Sequence, residues 1–173
     1  MARFEGFITN LGKYNEGNLI GKWIHFPINE EDLEKVLEEI GINKEYEEYF
    51  FTDWDLDFNV RLGEHERIEA LNEVAKKIDD LDEIQILQAV CEYDGPMCLK
   101  QFSDLIDEID EWYLEPNINN DYDLGYYWVH EAGCYDLDSM GNLANYIDYE
   151  AFGRDIRFEA EGNHTAYGWV EKH

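Results

Sequence analysis

Asp53-Trp54-Asp55-Leu56-Asp57-Phe58-Asn59-Val60 alternates between polar and apolar residues without a break. Successive side chains of an extended chain point to opposite faces. The stretch therefore predicts a strand with Asp53, Asp55 and Asp57 on one side and Trp54, Leu56 and Phe58 on the other. Same-side neighbours on a strand lie about 6.7 Å apart. The outcome is a row of carboxylates over an apolar core face. A calcium-loop template also finds acids at suitable spacing from Asp53 to Glu64, but the position that needs glycine for its sharp turn holds Phe58. Strict alternation favours the strand.

Upstream, Phe4–Asn10 and Leu19–Phe26 are strand-like, rich in aromatic and β-branched residues. Gly12–Gly17 between them has turn composition. Asn29 is placed as a helix N-cap, and Glu30, Glu31 and Asp32 suit the positive end of the helix dipole. Leu33, Val36, Leu37 and Ile40 repeat at helical spacing, and Gly41 can end the helix. Downstream, the period lengthens to that of helices. Ile68, Leu71, Val74, Ala75 and Ile78 share one face. Ile84, Leu87, Val90 and Cys91 share a second, and Leu99, Phe102, Leu105, Ile106 and Ile109 a third. From Asp110 the character is mixed. Trp112–Leu114, Asp155–Glu159 and Tyr167–Val170 read as short strands, and Leu124–Glu131 as a helix ending near Gly133. The expected class is α+β, elongated, with three small modules in tandem. These are a β-α module at 1–62, a helical module at 63–107, and a mixed module with a short antiparallel sheet at 108–173.

Charge bounds the function. The chain carries 41 Asp and Glu against 13 Lys and Arg, a formal net charge of -28 over 173 residues. Disordered acidic chains are poor in aromatics, whereas this one has 12 Tyr, 9 Phe and 5 Trp. It is a folded protein. Duplex DNA carries one charge per about 1.7 Å of axis, so this charge equals that of a duplex of about 14 base pairs, about 48 Å long. A sphere of this chain length would be about 40 Å across. Self-repulsion on so small a body favours an extended form. An acidic surface that serves solubility alone is the blander reading, and the acid density argues against it.

Chemistry of other kinds finds little support. His130-Glu131-Ala132-Gly133-Cys134 starts like a zinc-protease helix but has Cys at the second His position. His25, His65, His164 and His173 lack ligand spacing, and no metal or other cofactor is expected. Asn10–Gly17 lacks the phosphate-loop pattern. Carboxylate pairs are so abundant that none marks a catalytic acid and base, and an enzyme is not expected. Direct nucleic-acid binding is disfavoured, because phosphates need Lys and Arg. Cys91, Cys98 and Cys134 are odd in number and lack zinc-ribbon spacing. With no membrane-length apolar run and no basic-then-apolar leader, a cytoplasmic protein is expected.

Three stretches carry a family resemblance. The first is Asn10-Leu11-Gly12-Lys13-Tyr14-Asn15-Glu16-Gly17, followed by Leu19, Gly21, Trp23 and Phe26-Pro27. The second is Glu45-Tyr46-Glu47-Glu48-Tyr49 leading into Asp53. The third is Asn145-Tyr146-Ile147-Asp148-Tyr149-Glu150-Ala151-Phe152-Gly153-Arg154-Asp155. In this order they resemble the ArdA antirestriction family, the third being similar to its antirestriction motif.

The resemblance implies an acidic mimic of B-form DNA that binds type I restriction-modification enzymes at the DNA groove of the methyltransferase core. It also implies a homodimer formed through the C-terminal module. On that basis Tyr146, Ile147, Asp148, Tyr149, Gly153 and Arg154 are interface candidates. Read from the residues alone, Leu143, Tyr146, Ile147 and Ala151 would suit a buried helical face, and the two readings are compatible. The candidate mimic surface comprises Glu34, Glu38 and Glu39 on the first helix and Asp53, Asp55 and Asp57 on the strand. Asp104, Asp107, Glu108 and Glu111, on a later helix, complete it. The alternatives are an acidic chaperone or scaffold for basic DNA-associated proteins, and a carboxylate-based metal enzyme.

Overall fold

The computed structural model describes residues 2–173. Its N-terminal sheet has β1 (Phe4–Asn10) at the centre, with β2 (Gly21–His25) and β3 (Tyr49–Leu56) antiparallel on either side. One face of this sheet is core: Phe4, Ile8, Ile24, Phe26 and Phe51 are all buried. Phe26 meets Phe4 and Phe51 edge to face, at centroid distances of 5.8 and 6.1 Å. The segment with turn composition contains one short helix, α1 (Leu11–Asn15). Asn10 starts it, its side chain accepting the Lys13 N–H at 3.0 Å while its Nδ2 donates to the Ile40 carbonyl at 3.1 Å. Helix α2 (Glu30–Glu39) begins as the sequence predicts, with the Asn29 side chain accepting the Asp32 N–H at 2.8 Å. Gly41, at φ 81°, follows its end in the left-handed conformation that suits glycine.

The alternating stretch is displaced from its expected bounds. The strand runs over Tyr49–Leu56 rather than 53–60, because Phe50 and Phe51 enter the ladder and a bulge interrupts it. Phe7 lies opposite Asp53 and Ile8 opposite Phe51, so Thr52 has no partner in the register. An extra residue puts two neighbours on one face. The Thr52 hydroxyl accordingly reaches the Thr9 hydroxyl at 2.9 Å, on the face that also carries Asp53. After the strand, Phe58 is buried and packs on Phe102 at 5.2 Å. Val60–Arg61 then forms β4, parallel to β5 (Met97–Cys98).

The helical periodicity is realised in α3 (Ile68–Asp79), α4 (Ile84–Asp94) and α5 (Leu99–Asp107). The buried residues of α3 are those that share its predicted face: Ile68, Leu71, Val74, Ala75 and Ile78. The last helix stops at Asp107, and a single 3-10 turn, Ile109–Glu111, follows. Glu108 and Glu111 are therefore off the helix that was expected to carry them.

The chain divides into two compact units, each built from two segments. One holds the residues up to Ile84 together with Pro96–Ile106, the other Gln85–Gly95 with Asp107–His173. The second contains an antiparallel sheet in which β8 (Gly168–Lys172) lies between β6 (Trp112–Glu115) and β7 (Gly162–Thr165). Besides most of α4, its helices are α6 (Asp121–His130), the short α7 (Leu137–Met140) and α8 (Tyr149–Glu159). Ile118, Leu124 and Trp169 form a core, closed by Tyr127, Trp128, Ile156 and Ala160. The fold is α+β.

Two expectations fail here. Asp155–Glu159 is the end of α8, not a strand. The Asp148 side chain accepts the Ala151 N–H at 3.0 Å and starts the helix, so five residues of alternation are overruled by a cap and the packing of Ile156. The buried helical face expected through Leu143 and Tyr146 does not form either. Gly141–Tyr146 is a 3-10 segment, with Leu143 72% and Tyr146 83% exposed.

Candidate functional site

The outward face of the N-terminal sheet is a grid of side chains whose rows follow from the register. Glu5 lies between His25 and Asp55, and Phe7 between Trp23 and Asp53. Glu5 and Asp55 are like charges on adjacent strands, an arrangement that destabilises a sheet unless cations intervene. A cation does intervene at Asp55. Arg3 reaches Asp55 at 3.2 Å and Asp57 at 2.9 Å, and His25 Nδ1 lies 3.5 Å from Glu5. Hydrogen bonds from the Arg3 backbone N–H and guanidinium hold the Asp57 carboxyl below the usual carboxylate range. Asp53 is different: it is exposed, accepts the Trp54 N–H at 2.8 Å, and has no ion pair among the described residues.

The other expected acids divide in the same way. Glu34 and Glu38, four residues apart on α2, are exposed and have no ion pair among the described residues, and the same holds for Asp104 on α5. Glu39 is met by Lys22, and Lys172 contacts Glu108 at 3.5 Å and Glu111 at 3.0 Å. Asp107 is exposed at the end of α5. The surface is thus a mosaic in which Glu39, Asp55, Asp57, Glu108 and Glu111 carry local countercharge. Sequence reasoning missed Glu5. Its signal was the same period of two, since Glu5, Phe7 and Thr9 share parity in β1.

In the second unit the 145–155 stretch is mostly architecture. Helices α6 and α8 cross with backbone against backbone at Gly125 and Gly153. A Cβ on Gly153 would lie 1.8 Å from the Asp121 carbonyl oxygen, and one on Gly125 would lie 1.9 Å from that of Tyr149. Asp148 caps α8, and the Tyr149 hydroxyl shares a hydrogen bond of 2.8 Å with His130 Nε2. Of the six motif residues, Tyr146, Asp148 and Arg154 are exposed, Ile147 and Tyr149 half-buried, and Gly153 buried.

Asp121 ties this unit together. Its carboxylate accepts from Arg157 Nε at 2.8 Å and Nη2 at 3.2 Å, and lies 3.0 Å from His164 Nε2. The Arg157 hydrogen bonds, with a smaller contribution from His164, hold the Asp121 carboxyl below the ordinary range against the opposing effect of burial. His164 Nδ1 is buried without a hydrogen-bond partner among the described residues; through Asp121 the contacts join α6, α8 and β7. A carboxyl with a depressed folded-state pKa contributes stability above its unfolded value, near 4, and loses it as pH falls through the folded value. Asp121→Asn should therefore lower the melting temperature at pH 6 and flatten its fall with acid below about pH 4. Melting curves from pH 3 to 6 check both effects. Equal acid slopes in variant and parent would remove Asp121 from the account.

A cavity of about 430 Å³ in the same unit is walled by Tyr122, Tyr126 and Tyr127, with Glu115, Asp123 and Glu131 at its rim. Among the described residues, no group of three or more His, Cys, Asp or Glu is placed to hold a metal ion. Among the described residues, no helix is long and apolar enough to cross a membrane.

A comparison with curated proteins finds no match for the chain. The profile of one protein family, described as Antirestriction protein (ArdA), matches residues 7–171. That span takes in both units, the acidic sheet face from Phe7 onward, and the capped and glycine-crossed helix of the 145–155 motif. The chain belongs to the ArdA family of antirestriction proteins.

Proposed function

We propose that this antirestriction protein is a mimic of duplex DNA, which inhibits type I restriction-modification enzymes by occupying the DNA groove of the methyltransferase core. The observation that carries the reading is the presence on regular elements of exposed carboxylates with no ion pair among the described residues, such as Glu34 and Glu38 on α2, Asp53 on β3 and Asp104 on α5. Helices and strands hold charge at fixed spacing, as a phosphate backbone does. One strand of B-DNA has a phosphate every 3.4 Å or so of axis, about twice the density of a single β-strand row of acids. Acids from more than one element must act together to approach it. Such a surface is drawn to a basic groove over long range, and the attraction weakens with salt. No bond is made or broken, and the site of action is the cytoplasm, where these enzymes meet DNA.

The test is DNA cleavage by a purified type I enzyme, with this protein titrated against duplex DNA. Competition that more DNA reverses and added salt weakens supports mimicry. Inhibition that excess DNA cannot reverse, or equal retention of unrelated basic proteins, would point to an acidic scaffold instead.

The active form is proposed to be a homodimer joined through the second unit. Leu143, Tyr146 and Phe158 are each more than two-thirds exposed, and large apolar groups at such exposure mark association surfaces. Tyr146→Asp combined with Leu143→Asp should convert dimer to monomer in sedimentation equilibrium, with the far-UV spectrum unchanged. A parent protein that sediments as a monomer at micromolar concentration would end this proposal.

A further inference from the structure

We propose that the outward face of the N-terminal sheet is a docking site for an arginine side chain of the protein partner, with Phe7 and Trp23 as platform and Asp53 as counter-ion. The inference rests on the proposed function only in taking the partner to be a protein with a cationic groove. Phe7 and Trp23 meet edge to face at 5.4 Å. Trp23 is 43% exposed, and Leu19 and Ile20 leading into β2 are 64% and 39% exposed. Phe7 is half-buried beside the open Trp23, and in so acidic a setting this pair asks for a ligand that is both flat and cationic. The register places Trp23 and Asp53 on either side of Phe7, so one group lying on Phe7 reaches both.

Guanidinium fits this description better than ammonium. It is planar and weakly hydrated, stacks on aromatic rings, and pairs with a carboxylate through two parallel N–H bonds. An ammonium is a compact, strongly hydrated point charge. The sheet edge already holds one guanidinium through carboxylates, since Arg3 pairs with Asp55 on β3 and with Asp57 just beyond its end. Arg3 engages Asp55 and His25 lies beside Glu5, whereas Asp53 has no ion pair among the described residues.

The test uses the full-length protein, labelled with 15N, and two probes of equal charge, tetra-arginine and tetra-lysine peptides, at low salt. Tetra-arginine is expected to shift the Trp23 indole N–H and the Phe7 and Asp53 amides first, and to bind several-fold more tightly than tetra-lysine. Trp23→Ala and Asp53→Asn should each reduce its affinity to that of tetra-lysine, with amide shifts elsewhere unchanged. Trp23→Phe should keep part of the preference. Equal affinity for the two peptides, or saturation with the Trp23 indole unmoved, overturns the site. No restriction enzyme is present, so a negative cleavage assay would leave a positive result here intact. Failure here would likewise leave the cleavage assay to be decided on its own.

Discussion

Gly153→Ala should unfold the second unit at moderate temperature while the first unit melts almost as before. The added Cβ would lie 1.8 Å from the Asp121 carbonyl oxygen and 2.6 Å from the Gly125 nitrogen. Both are backbone atoms within the α6–α8 crossing, and no side chain can rotate away to make room. The helices must separate, or α8 must shift along its axis. Either movement strains the Asp121–Arg157 contact at 2.8 Å and the packing of Ile156 on the Leu124–Trp169 core. Overpacking a tight site costs about 1–3 kcal/mol when neighbours can relax. A contact between two backbones belongs at or above the top of that range. For a unit below about 100 residues, 3 kcal/mol lowers the melting temperature by roughly 10–25 °C. Gly125→Ala should do the same from the opposite helix, with its Cβ 1.9 Å from the Tyr149 carbonyl oxygen. The double variant should cost less than the sum of the two, since one separation accommodates both. Calorimetry or circular dichroism of all three variants decides the matter. A Gly153→Ala protein that melts like its parent would mean that the crossing is wider than described.

This reading moves Gly153 from a contact surface to a helix junction. The sequence shows a glycine within an otherwise helical stretch, which normally costs about 1 kcal/mol against alanine. It does not show what lies across from it, because Gly125 is far away in the chain and belongs to another helix. The same division runs through the fold. The buried face of α3 was legible, since it is a period within one element that burial alone decides. The bounds of β3 were not. Alternation says which side chains face together, but the end of a ladder depends on partners such as Ile8 opposite Phe51 and on the bulge at Thr52. The strand expected at Asp155–Glu159 failed because five residues of alternation also fit a helix whose outer side happens to hold Phe158.

The candidate site was legible as composition and only partly as geometry. That acids would cover the surface followed from a net charge of -28. Which of them keep their charge unopposed could not be read, because the cations arrive from elsewhere. Arg3 meets Asp57 across 54 positions of sequence, and Lys172 meets Glu108 across 64. Glu5 was overlooked because a lone acid in an apolar strand looks like an ordinary outward residue until its neighbours across the sheet are known.

Converting Glu34, Glu38, Asp53 and Asp104 together to Gln or Asn should remove most of the inhibition of a type I enzyme, while each single change leaves it nearly intact. An exposed ion pair contributes about 0.2–1 kcal/mol. One amide substitution therefore weakens inhibition by at most about five-fold, within the spread of many assays. Four such losses sum to about 1–4 kcal/mol, or roughly four-fold to nearly a thousand-fold. The sum is closest to additive for Asp53 and Asp104, which stand on different elements. Glu34 and Glu38 are four residues apart on one helix and repel each other, so removing either relieves the other and their joint effect is smaller. The same repulsion means that the fold should survive, and the melting temperature should stay level or rise. Loss of inhibition then cannot be ascribed to unfolding. The deficit should also shrink as salt is added, because screening already removes in the parent what the substitutions remove in the variant. A folded quadruple variant that inhibits as well as its parent at low salt would refute distributed mimicry, and so would a single substitution among the four that abolishes inhibition.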